Sequence, residues 1–381
     1  MPSFTSDVVR SISQADTELR LQAFDRFAAA PFPTAEQEIW RYSRIGELQL
    51  DRFNYGSLVT TVEGAEAVVA HDATIADDAA LDLFSELNRA LMTPICIRVP
   101  AGRAIAQPII ITHELVTNGA ACFPRLVIDA EPDSEVTVIE RFISTDGIVG
   151  LIVPVLQIRA QQAARVKYLA INELGSQVWQ ISNQQSVGER DSTTLLASVA
   201  LGGDYARVRT HAKLIGQGAS TRQVALYFAD GQQTHDFRTT QEHIAPKTNS
   251  DLLFKGAVTD QSRSVYTGLI KIGPEARGTQ AFQTNRNLTL SHGAWAESVP
   301  NLEIETNDVK CSHASTVGPI DEEQRFYLES RGIQPEIAER LVVLGFFDEV
   351  LGQLPVGDLR GELRQRIADK LHQDLVLEMT A

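Results

Sequence analysis

The residue types best suited to chemistry in this chain are a cysteine and a histidine two positions apart, Cys311 and His313. If the segment around them is a strand, side chains alternate between its two faces, so both residues point the same way. A thiolate beside an imidazole suits iron, zinc or copper. Two donors do not complete a metal site, so further ligands must come from elsewhere in this chain or from a second chain. A single Cys near a His is more often structural, and the residues alone leave both interpretations open.

Other chemistries find little support in the motifs. No G-x-x-x-x-G-K-[ST] or G-x-G-x-x-G sequence opens a helix after a strand, so we expect another subunit to handle any ATP that the function needs. His211, His235 and His243 lie on separate segments without a close His pair, which argues against a cupin-like metal enzyme. We therefore predict no catalytic residue from these motifs.

The elements that must position the pair follow from the apolar pattern, which divides the chain into three parts. Helical spacing occurs up to about Leu91, short alternating strands follow from about Pro94 to Glu305, and helical spacing returns after Pro319. From about residue 165 the strand starts recur roughly every 14 residues, which favours a solenoid but does not exclude a sandwich or a barrel. In a solenoid, corners where the backbone turns sharply would contain Gly202, Gly203, Gly216 and Gly218.

The tail after Pro319 has the pattern of amphipathic helices. Asp321 is placed to cap the first of them, and Pro335 begins another that runs to about Leu354. The apolar face of this second helix consists of Ile337, Leu341, Leu344, Phe347 and Val350. Periodicity does not decide whether that face meets the strands or a partner. We expect a chain that ends near Gly318 to keep a soluble, strand-rich body.

Composition indicates an ordinary globular protein of 381 residues, with 22% charged and 43% hydrophobic residues. The formal net charge of -15 argues against nucleic acid or an anionic membrane as a partner, because both attract clustered Lys and Arg. Cys96, Cys122 and Cys311 are the only cysteines, an odd number that does not suggest a disulfide framework. The start of the chain lacks a basic, then apolar, secretory signal, and no apolar run is long enough to cross a bilayer. These features predict a cytoplasmic protein.

The block from Val309 to Gly332 resembles the C-terminal signature of the SufB/SufD family of iron-sulfur cluster assembly proteins. The resemblance extends from about Leu87 to Leu354 and includes these segments: Asn88 to Gly102, Phe123 to Ile128, His243 to Ser250, Lys255 to Val258, Gln283 to Leu288 and Asn301 to Glu305. The sequence Cys311-Ser312-His313 is similar to the SufD pattern. Ala294 stands where SufB carries a cysteine, which also favours SufD. Ala314-Ser315-Thr316 departs from the family's usual Gly-Ala-Thr.

The resemblance implies a mainly β protein, a right-handed parallel β-helix flanked by helical regions. It places an N-terminal helical region at 1–92, a β-helix body at 93–318 and a C-terminal helical region at 319–381. It implies a non-catalytic scaffold subunit that pairs with a SufB-like paralogue and docks a SufC-like ABC ATPase through its C-terminal helices. A homodimer in the absence of SufB stays open. Cys311 and His313 would contact iron or a nascent iron-sulfur cluster, held transiently and shared with the partner.

The alternative is a β-helix carbohydrate-active enzyme, a lyase or a glycosidase. Such enzymes use paired carboxylates on one sheet face, and Glu303 and Glu305 would share a face if both lay on one strand. A solvated strand face on an acidic protein explains the same pattern. The absence of a secretory signal weakens this alternative further.

Overall fold

A computed structural model describes residues 4–12, 16–64, 69–70, 82–355, 357 and 359–378. Residues 1–3, part of the N-terminal segment in which we expect no secretory signal, lie outside the described residues. Strands account for 46% of the chain and form a parallel β-solenoid of about 8 turns, with helices at both ends. The prediction of a parallel β-helix between two helical regions is therefore confirmed.

Each full turn of the solenoid, called a coil here, contributes one strand to each of two sheets. Sheet A contains β1 (Asn54–Tyr55), β3 (Val69–Ala70), β4 (Thr93–Val99), β6 (Ala120–Cys122), β7 (Pro124–Ala130), β9 (Gly150–Ile152), β10 (Val155–Ala160), β12 (Val178–Gly188), β14 (Tyr205–Leu214), β16 (Thr234–His243), β18 (Arg263–Ile272) and β20 (Trp295–Ile304). Sheet B contains β2 (Val59–Glu63), β5 (Ile109–Leu115), β8 (Glu135–Ser144), β11 (Arg165–Glu173), β13 (Thr193–Ala200), β15 (Ser220–Ala229), β17 (Asn249–Val258), β19 (Thr279–Thr289) and β21 (Val309–Gly318). Since two strands make a coil, the strand spacing seen in the sequence corresponds to half of a coil.

Pairing between the described strands is parallel except at the N-terminal end, where β2 joins β5 and β3 joins β4 in antiparallel fashion. The register aligns equivalent residues from coil to coil. Tyr168 pairs with Leu196, which pairs with Gln223, so one inward column runs along sheet B. Buried aliphatic side chains from both sheets fill the space between them over the first coils. Alternation in each strand thus gives one face to this core and the other to the outside.

One corner of each coil repeats a backbone conformation that L-residues rarely adopt. Positive φ values recur there in a column made of Gly102, Asp133, Ala163, Asp191, Gly218, Lys247 and Gly278. Each of these N–H groups donates to a carbonyl of the following coil, as Asp133 does to Gln162 at 3.0 Å. Of the glycines predicted at corners, Gly216 and Gly218 lie in this corner, and Gly202 and Gly203 lie in the turn between β13 and β14. A Cβ on Gly216 would stand 2.0 Å from the backbone nitrogen of Arg190. The hydrogen bonds at this corner therefore continue the backbone hydrogen-bond ladder of the sheets past the ends of the strands.

The N-terminal region packs on the outer face of sheet A. It consists of α1 (Ser6–Ile12), α2 (Thr17–Ala29), α3 (Leu83–Leu91) and short 3-10 turns at Glu38–Trp40, Ile45–Glu47 and Leu50–Arg52. Asp82 caps α3 by accepting a hydrogen bond from the backbone nitrogen of Ser85. Trp40 and Phe84 are buried together against Tyr205 and other residues of the sheet. This end of the molecule is held to the solenoid by a shared apolar core.

The C-terminal region, α4 (Glu322–Glu329), α5 (Pro335–Leu351) and α6 (Leu359–Glu378), follows the last strand. Asp321 caps α4 as predicted, by accepting from the backbone nitrogens of Glu323 and Gln324. The inner sides of α5 and α6 cover the outer face of sheet B, where Phe347 and Ile367 join a core with Leu226 and Phe228. None of the helices that the structure describes is both long and apolar enough to span a membrane.

The position of α5 resolves which surface its apolar face meets. Leu344, Phe347 and Val350 are buried against the strands, whereas Ile337 and Leu341 stay exposed. Removal of the tail would therefore uncover the apolar outer face of sheet B. The expectation that a chain ending near Gly318 keeps a soluble body must be revised, because such a patch favours aggregation.

Candidate functional site

The C-terminal end of the solenoid is open. β20 and β21 are the last strands of their sheets, each paired on one side only among the strands that the structure describes. Inner-face residues that would be core in any earlier coil are exposed here. Ile270 has no exposed surface, whereas Leu302, its neighbour on β20, is 38% exposed. Ile304 and Val317 are exposed in the same way. The inward-facing apolar side chains of the last coil are thus exposed to solvent.

Cys311 and His313 lie on the inner face of β21 at this open end. The prediction that they occupy a strand is confirmed, and the register places them beside Ala281 and Gln283 of the preceding coil. Cys311 is half-buried and packs against an apolar cluster that includes Ile272. His313 is exposed. The Cys311 thiol therefore lies partly within the core, whereas the His313 imidazole faces solvent.

Burial raises the pKa of the Cys311 thiol above its usual value. Desolvation disfavours the charged form, so the thiol stays protonated at neutral pH in the separate chain. The thiolate is the form that ligates metals. A nearby positive charge, such as a bound iron ion, would favour deprotonation.

The described residues contain no group of three or more His, Cys, Asp and Glu side chains arranged to hold a metal ion. The other two cysteines, Cys96 and Cys122, are buried in the body, where burial raises the pKa of Cys122 to about 12. His235 and His243 are also buried, with hydrogen bonds to Gly202 O and to neighbouring hydroxyls. His211 pairs with Glu242 at 2.8 Å, so these three histidines have separate partners, in agreement with their separate segments in the sequence.

The carboxylates that suggested a carbohydrate-active enzyme do not converge. Glu303 lies on the outer face of β20 and pairs with Lys271 at 3.1 Å. Glu305 follows the end of the strand and is exposed. A paired acid and base would have to flank one bond of a substrate in a cleft. These two residues have the environment of a solvated strand face.

Sequence reasoning missed two features near the open end. Gln283, one coil below His313, is buried, and neither the oxygen nor the nitrogen of its amide has a hydrogen-bond partner among the described residues. Ser315 donates to Ser298 at 2.7 Å, which joins the two sheets across the last coil. Coil-to-coil register places Gln283 below His313, whereas the Ser315–Ser298 contact depends on how the two sheets face each other. The regular strand spacing in the sequence located the strands but not their exact alignment.

A second open surface lies between the last coils and the tail. A groove of about 1280 Å³ runs between α4, α5 and strands β19 and β21, lined by Leu288, Thr316 and Leu341 among others. Phe326 and Tyr327 of α4 are 70% and 58% exposed. These two adjacent side chains add exposed apolar surface to α4, and contiguous apolar surface of this kind marks interaction sites.

Fold and site together define a β-solenoid protein whose open end carries a thiol and an imidazole. Residues 113–346 match the family described as SUF system FeS cluster assembly, SufBD core domain. The chain belongs to this SufB/SufD family, as its C-terminal signature predicted.

Individual relatives agree with the family assignment. An iron-sulfur cluster assembly SufBD family protein of Mycobacterium leprae is 30% identical over 362 residues, which cover 89% of this chain and 90% of the relative. Iron-sulfur cluster assembly protein SufD of Escherichia coli is 30% identical, with 76% of this chain and 70% of the relative covered. SufD of Bacillus subtilis is 30% identical, with 72% and 63% covered.

Proposed function

We propose that this chain is a SufD-like, non-catalytic scaffold subunit of a SUF iron-sulfur cluster assembly complex, located in the cytoplasm. The observation that carries the proposal is the position of Cys311 and His313 on the inner face of the last, uncovered coil. The further ligands that such a pair of donors needs would come from the molecule that covers the open end. Family membership identifies the chemistry as cluster assembly.

The partner proposed for the open end is a SufB-like paralogue. Unpaired strand edges attract further strands, and β20 and β21 offer two such edges side by side. Leu302, Ile304 and Val317 add apolar surface next to them. A second solenoid that docked here would cover this surface and supply the ligands that the described residues lack. In the absence of SufB, a second copy of this chain is the competing occupant.

Iron, or a nascent cluster, is the proposed cargo of this interface, not a resident cofactor of the separate chain. Thiolates are the usual ligands of iron-sulfur clusters, and histidine replaces them in some centres. The protonated Cys311 thiol and the two-donor set both favour weak, transient binding until the partner arrives. His313, which is exposed, is the donor with direct access to the partner's side.

The proposed docking surface for a SufC-like ATPase is the groove beside α4 and α5. Tyr327 and Leu341 line the groove, and Phe326 and Ile337 are further exposed apolar residues on the same two helices. Aromatic and aliphatic anchors around a groove are typical of protein interfaces. ATP hydrolysis is assigned to that partner, because this chain has no phosphate-binding motif.

The test uses the chain co-expressed with its SufB-like and ATPase partners. We expect His313→Ala to leave the ternary complex assembled and to lower iron and acid-labile sulfide on the purified complex sharply. Cys311→Ala should have a weaker effect. His292→Ala, in an exposed turn before β20, is the matched control and should change nothing. Normal cluster content in the Cys311→Ala, His313→Ala double variant would show that the pair is structural.

Docking of the ATPase is tested separately. Ile337→Asp places a charge on the exposed side of α5 and should abolish capture of the ATPase, while pairing with the SufB-like chain persists. Undiminished ATPase binding would refute this surface.

A further inference from the structure

A glutamine lies directly beneath His313 in the interior of the solenoid. The register of sheet B aligns Leu196, Gln223, Leu252, Gln283 and His313 in one inward column. The side chain of Gln283 is 1% exposed, and neither Oε1 nor Nε2 has a hydrogen-bond partner among the residues that the structure describes. A buried amide without partners is costly, so its presence at this position needs an explanation.

The amide of Gln283 reaches across the interior toward sheet A. A Cβ on Gly268 of β18 would stand 2.5 Å from Nε2 and 2.8 Å from Cδ of Gln283, so the amide fills the space that this glycine leaves. Pro300 of the last coil follows Gly268 in the register of sheet A. The side chain of Gln283 therefore lies beneath the last coil and extends from below His313 on one sheet to below Pro300 on the other.

An unpaired amide alone does not mark a site, because Gln223 shares this property. Gln223 is also 1% exposed, and both polar atoms of its amide lack a partner among the described residues. Its neighbours in the column, Leu196 and Leu252, are both apolar. Gln283 differs because the imidazole of His313 follows it in the column and because it lies next to the open end. The position of Gln283 is therefore what points to a role in the site.

The imidazole of His313 needs a new hydrogen-bond partner once the open end is covered. In the separate chain the ring is exposed, so water can solvate both of its nitrogens. When one ring nitrogen binds a metal, the other carries the proton, and in metal sites this N–H almost always donates to an oxygen acceptor. A partner that covered the ring would remove solvent from this N–H, and a buried donor without an acceptor is costly. The Oε1 atom of Gln283, one coil below, is a buried acceptor without a described partner.

We propose that Gln283 is a positioning residue for His313, whose imidazole N–H it accepts through its amide oxygen when a partner covers the last coil. This hydrogen bond fixes which ring nitrogen faces the iron and raises the basicity of that nitrogen. Gln283 acts through His313 and is not itself a ligand. The inference rests on the proposed function of Cys311 and His313, which it deepens.

The test compares Gln283→Leu with Gln223→Leu in the chain co-expressed with its SufB-like and ATPase partners. Leucine replaces each unpaired amide by an apolar group of similar size, so both variants should raise the urea midpoint of the separate chain. Both complexes should assemble. Gln283→Leu should lower iron and acid-labile sulfide on the purified complex severalfold, whereas Gln223→Leu, the matched control, should leave both unchanged.

Two further measurements separate positioning from packing. Protons compete with iron for the imidazole, so in an acid titration the Gln283→Leu complex should release its remaining iron at a higher pH than the unmodified complex. Gln283→Glu keeps an acceptor and should retain more iron than Gln283→Leu, although a buried carboxylate destabilises the separate chain. The leucine variant should thus be the more stable chain with less iron, whereas a packing defect would lower stability and iron content together.

The outcomes distinguish this inference from the proposed function. Normal iron content in the Gln283→Leu complex, together with loss of iron in the Cys311→Ala, His313→Ala double variant, would overturn the inference alone. Equal losses in Gln283→Leu and Gln223→Leu would also overturn it, because the effect would then come from packing in the column. Normal iron content in the double variant would overturn the proposed role of the pair itself.

Discussion

Substitution of Phe347 by alanine tests how the C-terminal helices are held. The ring has no exposed surface and lies on the inner side of α5. Its centroid is 6.2 Å from that of Phe228 on β15 and 5.2 Å from that of Phe346. Loss of a fully buried phenylalanine ring, with the cavity that it leaves, costs about 4 kcal/mol. A domain is stable by roughly 5–15 kcal/mol in total, so this is a large share.

The expected result is a two-part weakening. The free energy of unfolding, measured by urea titration followed by circular dichroism, should fall by about 3–5 kcal/mol. Amide protons of α5 and α6 should also exchange faster than those of the inner strands, because the helices can detach while the coils persist. Detachment would uncover Leu226 and Phe228, so we expect the variant to aggregate more readily.

Ile337→Ala is the matched control. Ile337 lies on the same helix but is 50% exposed, so its truncation should change the free energy of unfolding by no more than about 0.5 kcal/mol. Similar costs for the two variants would refute the conclusion that α5 is held by its buried side. It would then follow that the exposed side contributes equally, and the assignment of that side to a partner would lose its basis.

Further predictions concern the body. Leu196→Asp buries an unpaired charge in the inward column of sheet B and should cost several kcal/mol in urea titrations, whereas exposed Thr193→Asp should cost little. Asp236→Asn weakens the compensation of two buried arginines and should cost about 3–5 kcal/mol, against about 0.5 kcal/mol for Asp251→Asn in an exposed pair. Burial lowers the pKa of His243 from 6.5 to about 4, so between these pH values the unfolded chain binds a proton that the folded chain does not. The free energy of unfolding should therefore decrease by about 3 kcal/mol as the pH drops from 6.5 to 4, and His243→Gln should flatten this dependence.

The repeat explains why much of the fold was predictable. Regular strand spacing, corner glycines and alternation are local properties, and each is written in a short segment. Even the end of sheet A had a local signal, because Pro300 within a strand pattern is tolerated chiefly at an edge. The pairing of coils is not local. That Gln283 lies below His313 depends on the number of residues in the intervening turns, which the pattern fixes only to within a few positions.

The cleft on the outer face of sheet A that Arg207, Arg209 and Arg238 line could not be predicted from the sequence for a different reason. Arg207 and Arg238 are separated by a full coil, and the turn that covers them comes from the N-terminal region. Neither residue belongs to a motif, and charged residues at alternate strand positions are usually solvated. Their burial follows from the packing of Trp40 over the sheet, a tertiary contact that no strand or helix pattern contains.

The open end remains the feature that most needs a physical reason. A solenoid normally covers its last coil, because exposed edges and core side chains invite aggregation. The N-terminal end of the solenoid follows the rule, because the antiparallel strands β2 and β3 pair with its first strands, β5 and β4. The C-terminal end does not, although α4 to α6 follow immediately and pack along sheet B instead. Since the chain has the segments needed for a cap and places them elsewhere, the uncovered coil is best explained as a surface that a partner closes. On that reasoning we propose that Cys311 and His313 are half of a site whose chemistry belongs to the assembled pair.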